Sequence, residues 1–238
     1  MAGTTLCFKR YEKKYFLSPL QYDAVLKEIE KHLTPDKFYR SRVCNIYYDT
    51  EDWRLIRDSI EKPNYKEKLR VRSYGVPKSN DKVFVEIKKK FDGIVYKRRA
   101  EVSAALAQST VCGGSHSGGS QIENEIDWFQ SFYKTKPRVF IAYDRLSFTG
   151  VLDEGLRITF DSDICFRTDR LNLTLGDDGT KLFENGKVLM EIKIPGACPL
   201  WLCRLLSENS IYPTSFSKYG TVYRNEILKK KTGELYSA

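Results

Sequence analysis

Lys66, Lys68, Arg70 and Arg72 stand at every second position of the segment YKEKLRVRSYG. On extended backbone successive side chains point to opposite faces, so these four cations share one face while Tyr65, Leu69 and Val71 share the other. The pattern recurs as Glu86, Lys88 and Lys90 in FVEIKKK, as Lys97 and Arg99 in VYKRRAEV, and as Glu191 and Lys193 in VLMEIKIPG. Like charges on one face repel, and water or a bound anion must offset the repulsion. One such run describes any solvated sheet face. Its recurrence describes a surface built for a polyanion.

Collected by parity, the charged positions are Arg10, Glu12 and Lys14; Arg70 and Arg72; Glu86 and Lys88; Lys97 and Arg99; Tyr143 and Arg145; Arg157; and Glu191 and Lys193. A few carboxylates among many cations suit a metal-bound oligophosphate: the carboxylates hold the divalent ion and the cations take the remaining phosphate oxygens. The runs contain no histidine. Hydrolysis needs a positioned and activated water, whereas growth of a polyphosphate chain uses an oxygen that is already ionised. Phosphoryl transfer then reduces mostly to alignment and charge stabilisation.

The composition is consistent with that chemistry. Lys plus Arg number 40 against 31 Asp plus Glu, a net charge of +9, which favours nucleic acid, anionic lipid or a phosphate-rich small molecule as partner. The 238 residues suffice for one large domain or two small ones, and a single domain over 1–238 is expected. The six cysteines, Cys7, Cys44, Cys112, Cys165, Cys198 and Cys203, form no C-x-x-C pair and are accompanied only by His32 and His116, so zinc-site spacing is absent. No apolar stretch reaches transmembrane length, and charged KRYEKK displaces any secretory signal. The reading is a reduced, cytoplasmic protein with ordinary buried cysteines.

The elements that must carry these side chains follow from periodicity. Strands are expected over 8–17, 44–50, 64–74, 82–90, 94–102, 138–150, 155–167 and 187–196, with turn chemistry at Gly75 to Asp81 and at Asp92-Gly93. Helices are expected after the Ser18 cap with Pro19 at its first position, over 51–60, over 122–134, and after Pro199. Residues 168–186 are expected to form a hairpin arm or long loop with Gly176-Asp-Asp-Gly179 at its tip. CGGSHSGGS at 112–120 reads as a surface loop, Tyr47 and Tyr48 as packing residues, and Lys229, Lys230 and Lys231 as a solvated run. Sequential hairpins imply an antiparallel sheet, and eight strands can close into a barrel.

The ordered set FKRYEKKYFL (8–17), NIYYDT (45–50), EKLRVRSYG (67–75), FVEIKKK (84–90), VYKRR (95–99), YDR (143–145), LRIT (156–159), EIKIPG (191–196) and SFSKYG (215–220) resembles the VTC-type polyphosphate polymerase domain of the CYTH-like triphosphate tunnel metalloenzyme superfamily. The resemblance implies an α+β fold, a closed eight-stranded antiparallel tunnel with helices packed around it. It also implies transfer of the terminal phosphate of ATP to a growing polyphosphate, with Mn²⁺ or Mg²⁺. By the same resemblance Arg70, Arg72, Lys88, Lys97, Arg145, Arg157, Lys193 and Lys218 are catalytic. Arg10, Lys14, Lys68, Arg99 and Tyr143 bind substrate, and Glu191, Glu12 and Glu86 serve the metal. The family's strand motif E-x-E-x-K departs here, since Arg10 stands at its first glutamate and leaves Glu12 and Lys14.

The partners implied are ATP, triphosphate and polyphosphate, with no nucleic acid; whether a membrane protein is a further partner is left open by the sequence. Two other functions fit the same residues: a metal-dependent triphosphatase of the same fold, and a non-catalytic binder of polyphosphate or nucleic acid. Product separates the first from the polymerase. An open face of aromatic platforms distinguishes the second.

Overall fold

A computed structural model describes residues 11–61, 63–92, 94–111, 120–151, 155–184 and 186–228. The strands are β1 (Tyr11–Leu17), β2 (Leu33–Asp49), β3 (Tyr65–Tyr74), β4 (Lys82–Phe91), β5 (Ile94–Ser103), β6 (Lys136–Gly150), β7 (Arg157–Arg167), β8 (Thr180–Lys181) and β9 (Val188–Ile194). The helices are α1 (Pro19–Ile29), α2 (Arg54–Ile60), α3 (Ala104–Val111), α4 (Gln121–Tyr133), α5 (Leu200–Glu208) and α6 (Lys218–Val222). The fold is α+β, built on one large antiparallel sheet of order β1-β9-β7-β6-β2-β3-β4-β5, with β8 paired to β7.

All eight expected strands are present. The order starts at β1 and ends at β5, and among the described residues no hydrogen-bonded ladder joins those two. The ninth strand, β8, lies in the expected hairpin arm, with Thr180 opposite Phe166 and Lys181 opposite Cys165. Gly179 makes that pairing possible, because a Cβ there would lie 2.5 Å from the Phe166 carbonyl oxygen. β2 starts eleven residues earlier than expected, at Leu33. Its first half, with Pro35 and mixed charges, carries little strand signal of its own. α3 and α6 are further additions, short segments without a long apolar period.

Local chemistry accounts for the helices that were legible. Ser18 and Gln21 form a reciprocal capping box at α1, and Ser120 and Glu123 form another at α4. Each satisfies two backbone donors that a helix start leaves open. α5 follows Pro199 and buries Leu202, Leu205 and Leu206.

The chain divides into two compact units. Unit 1 comprises residues 1–42, 143–164 and 183–215; unit 2 comprises 43–142, 165–182 and 216–238; β2, β6 and β7 contribute residues to both. In unit 1, Tyr15, Leu17, Ile158, Phe160, Met190 and Ile192 pack beneath α1 and α5. In unit 2, Ile46, Leu69, Val71, Val83, Val85 and Ile87 pack beneath α3 and α4. In each unit the alternate residues of the same strands carry the charges, so burying one face obliges the other to present them.

Candidate functional site

In unit 2, the hairpin β3–β4–β5 sets the charged residues in rows. Tyr47 lies opposite Arg70, Arg70 opposite Glu86, and Glu86 opposite Arg99. The neighbouring rows are Asn45, Arg72 and Phe84, and Lys68, Lys88 and Lys97. Directly opposite residues on one face touch, which places three cations around a single carboxylate and a fourth beside it.

That carboxylate, Glu86, is 1% exposed. Arg70 donates to its Oε2 from Nε at 2.8 Å and Nη2 at 2.7 Å. Lys97 Nζ lies 2.7 Å from Oε1, and Arg99 donates to the same oxygen from Nε at 2.7 Å. Arg72 Nε is 4.0 Å from Oε2 and donates to Asn45 Oδ1 at 2.9 Å. Arg99 also lies over the Phe84 ring, 4.4 Å from its centroid. Burial works to raise the pKa of Glu86, but Arg70, Arg72 and Lys97 overcome it and hold the carboxyl below the usual carboxylate range. Burial also pushes the Lys97 ammonium down to about 8, against the raising influence of Glu86.

α6 brings the SFSKYG segment to the same unit. Its cap, Ser217, accepts from Gly220 N–H at 3.2 Å and from Lys68 Nζ at 3.4 Å. Lys218 is its first residue. Tyr219 donates its hydroxyl to the buried carboxylate of Asp49 at 2.7 Å and stacks on Tyr47 at 4.8 Å. Tyr47 is buried as expected of a packing residue, but its hydroxyl also accepts from Arg70 Nη1 at 3.3 Å.

In unit 1, Lys14 lies opposite Glu191 and Glu191 opposite Thr159, while the next row is Glu12, Lys193 and Arg157. Glu191 is 8% exposed. Lys193 Nζ is 2.7 Å from its Oε1; Lys14 Nζ is 3.9 Å from its Oε2 and 3.6 Å from Glu12 Oε1. Burial opposes ionisation of Glu191, and the charges of Lys193, Lys14 and Arg145 outweigh it, so its pKa is lowered. The Thr159 hydroxyl, buried on the ladder beside Glu191, has no hydrogen-bond partner among the described residues.

Arg145 is held by Asp161 through Nε to Oδ1 at 2.6 Å and Nη2 to Oδ2 at 2.8 Å, with the Tyr143 ring 5.2 Å away. Arg157 donates to Ser147 Oγ from Nε at 3.1 Å and from Nη2 at 3.0 Å, and pairs with Asp36 at 2.8 Å.

Of the sequence-derived residues, Arg70, Arg72, Lys97, Arg99 and Glu86 form one cluster in unit 2, with Lys68 and Lys88 in the adjoining row. Glu12, Lys14, Glu191 and Lys193 form another in unit 1, with Arg157, Arg145 and Tyr143 on neighbouring strands. Arg10 lies outside the described residues, as do the 112–119 segment and Lys229, Lys230 and Lys231. Sequence reasoning passed over Asn45, Asp161, Ser147 and Thr159. The last three share parity with Arg157 or Arg145 on β7 and β6 and were open to detection by that rule; Asn45 was visible only through its partner Arg72.

Among the described residues no group of three histidine, cysteine, aspartate or glutamate side chains is placed to hold a metal ion. Glu191 and Glu12, with the unpartnered Thr159 hydroxyl, supply hard oxygen donors that fit a divalent ion whose other ligands are substrate oxygens. Glu86 has its two oxygens engaged by Arg70, Lys97 and Arg99.

A model of the VTC domain family matches residues 9–225. No curated protein matches the chain. Among solved structures, the chain is similar to a candidate adenylate cyclase from Bacillus halodurans, at 13% identity over 92% of this chain and 95% of that one, with a TM-score of 0.53. It is also similar to a candidate adenylate cyclase from Vibrio parahaemolyticus, at 12% identity over 91% and 98% of the two chains, TM-score 0.46. A third similar structure is the Mimivirus capping enzyme triphosphatase, at 10% identity over 84% and 87%, TM-score 0.34. The first likeness establishes a shared fold. Because the family match spans nearly the whole length, and its strands carry the ordered cationic motifs, the chain belongs to the VTC domain family.

Proposed function

We propose that this protein is an ATP-dependent polyphosphate polymerase. A terminal oxygen of the polyphosphate attacks the γ-phosphorus of ATP, the β–γ bridging bond breaks, and ADP leaves. The observation that carries the reading is Glu86 with Arg70, Arg72, Lys97 and Arg99 around it: four positive charges against one negative, on a face that is partly open to water. One carboxylate orients those cations without neutralising them, and the excess suits the charge of a triphosphate in transfer.

Glu191 is assigned to the divalent ion, Mn²⁺ or Mg²⁺, with Glu12 and the Thr159 hydroxyl beside it. Such an ion would neutralise phosphate charge as the bond breaks. Lys14 and Lys193 bind phosphate oxygens next to Glu191. Arg145 and Arg157 are positioned for the same purpose by Asp161 and by Ser147 with Asp36. Lys68, Lys88 and Lys218 extend the cationic surface for the product chain. Glu86 is assigned as the counter-charge that holds the arginines. Closure of the sheet into a tunnel, and action of residues 1–238 as a single domain, belong to the same proposal.

The decisive experiment incubates the purified chain with ATP and Mn²⁺ or Mg²⁺ and resolves products on a gel. Long polyphosphate with ADP supports the proposal. Orthophosphate alone assigns the triphosphatase activity instead, and ATP binding without either product assigns a binding role.

A further inference from the structure

We propose that Cys198 and Cys203 form a dithiol site for thiol–disulfide exchange with low-molecular-weight disulfides. Cys198 stands in the turn after β9, directly before the cap Pro199, and Cys203 stands on the first turns of α5. The Cys203 N–H donates to Pro199 O at 3.0 Å, which winds the helix start back over the turn. The Cys203 thiol points at the Cys198 carbonyl oxygen, 3.8 Å away. Of the other cysteines within the described residues, Cys44 and Cys165 are buried and Cys165 donates to Asp177 O at 3.3 Å. Juxtaposition and access therefore coincide at 198 and 203.

The two thiols differ. Cys203 is exposed and Cys198 half-buried. Burial, then the neighbouring Cys203 thiol, push the Cys198 thiol up to about 12. Attack begins with the thiolate of the accessible residue. Cys203 loses its proton and attacks one sulfur of a disulfide RSSR; the S–S bond breaks, Cys203–S–S–R forms, and RS⁻ departs and takes up a proton. Cys198 then gives up its proton and attacks Cys203 Sγ, releasing the second RSH. Two protein thiols are oxidised to one disulfide while RSSR is reduced to two RSH. The bridge would tie the start of α5 to the end of β9. Lys13, whose charge acts on Cys198, lies on β1 between Glu12 and Lys14, so the site adjoins the two strands that carry the Glu191 cluster.

The test uses the full chain, reduced and then exposed to oxidised glutathione, followed by tryptic mapping. Residues 194–204 lie between cleavage sites at Lys193 and Arg204 and carry both cysteines. The expected product is that peptide lighter by two hydrogens and restored by dithiothreitol, with Cys198→Ser accumulating a glutathione adduct on Cys203. A stable glutathione adduct on Cys203 in the unaltered chain, or reaction only at other cysteines, would overturn the proposal. The readout is independent of any phosphoryl-transfer activity.

Discussion

Asp161 takes two of the five guanidinium N–H donors of Arg145, at 2.6 Å and 2.8 Å, and the carboxylate itself is fully buried. The pair fixes the guanidinium plane on β6 before any ligand arrives. Removing the acceptor charge leaves a nearly buried cation without its partner. Asp161→Asn is therefore expected to destabilise the fold by about 3 kcal/mol, read as a lower urea midpoint at constant slope. An unchanged midpoint would mean that water replaces the carboxylate without loss.

Glu86 gives the fold an acid-sensitive element. Its folded pKa lies below that of an unfolded glutamate, about 4.3. Ionised Glu86 thus stabilises the fold above that pH, and the contribution is lost as pH falls through the depressed folded value. Stability of the unaltered chain should decline below pH about 4 more steeply than that of Glu86→Gln. Parallel stability curves for the two proteins would rule out this role.

Lys97 sets an alkaline limit. With its pKa pushed down to about 8, it loses its charge as pH rises through that value. Tripolyphosphate affinity should weaken over the same range, and Lys97→Arg should keep its affinity to higher pH because guanidinium stays protonated. Titration calorimetry at several pH values measures this. Identical pH profiles for the two proteins would remove Lys97 from the anion site.

At Glu191, substitution by Gln should abolish turnover while leaving circular dichroism unchanged. Thr159→Val should weaken Mn²⁺ binding in the presence of tripolyphosphate by roughly 10- to 100-fold, as loss of a neighbouring metal-site group does. Electron paramagnetic resonance of Mn²⁺ reports that binding without reference to turnover. Full Mn²⁺ affinity in both variants would move the ion elsewhere.

Arg70 and Tyr219 test the geometry of the other cluster. Arg70→Lys keeps the charge but loses the fork that reaches Glu86 and Tyr47, and turnover should fall by roughly 30- to 1000-fold, equivalent to about 2–4 kcal/mol of barrier. Tyr219→Phe leaves buried Asp49 short of one donor and should lower stability by about 1–3 kcal/mol. Wild-type turnover in Arg70→Lys would mean that charge alone suffices there.

The alternation of charge in YKEKLRVRSYG, FVEIKKK and EIKIPG determined by itself which residues share a face, because side chains on extended backbone have a period of two. The caps at Ser18 and Pro199 likewise located their helices from local hydrogen-bonding needs. What lies opposite a charge depends on strand register and on pairing between distant segments, which no local period encodes. Only the tertiary structure therefore decided that Glu86 gathers four cations, that Asp161 holds Arg145 across 16 residues, and that Tyr219 reaches Asp49 across 170. β2 shows the same division: its second half reads as a strand from composition, while Leu33 to Arg42 become strand by pairing within the sheet. Burial of one face against helices drives the assembly, and the charges on the other face must find partners within it or hold an anion.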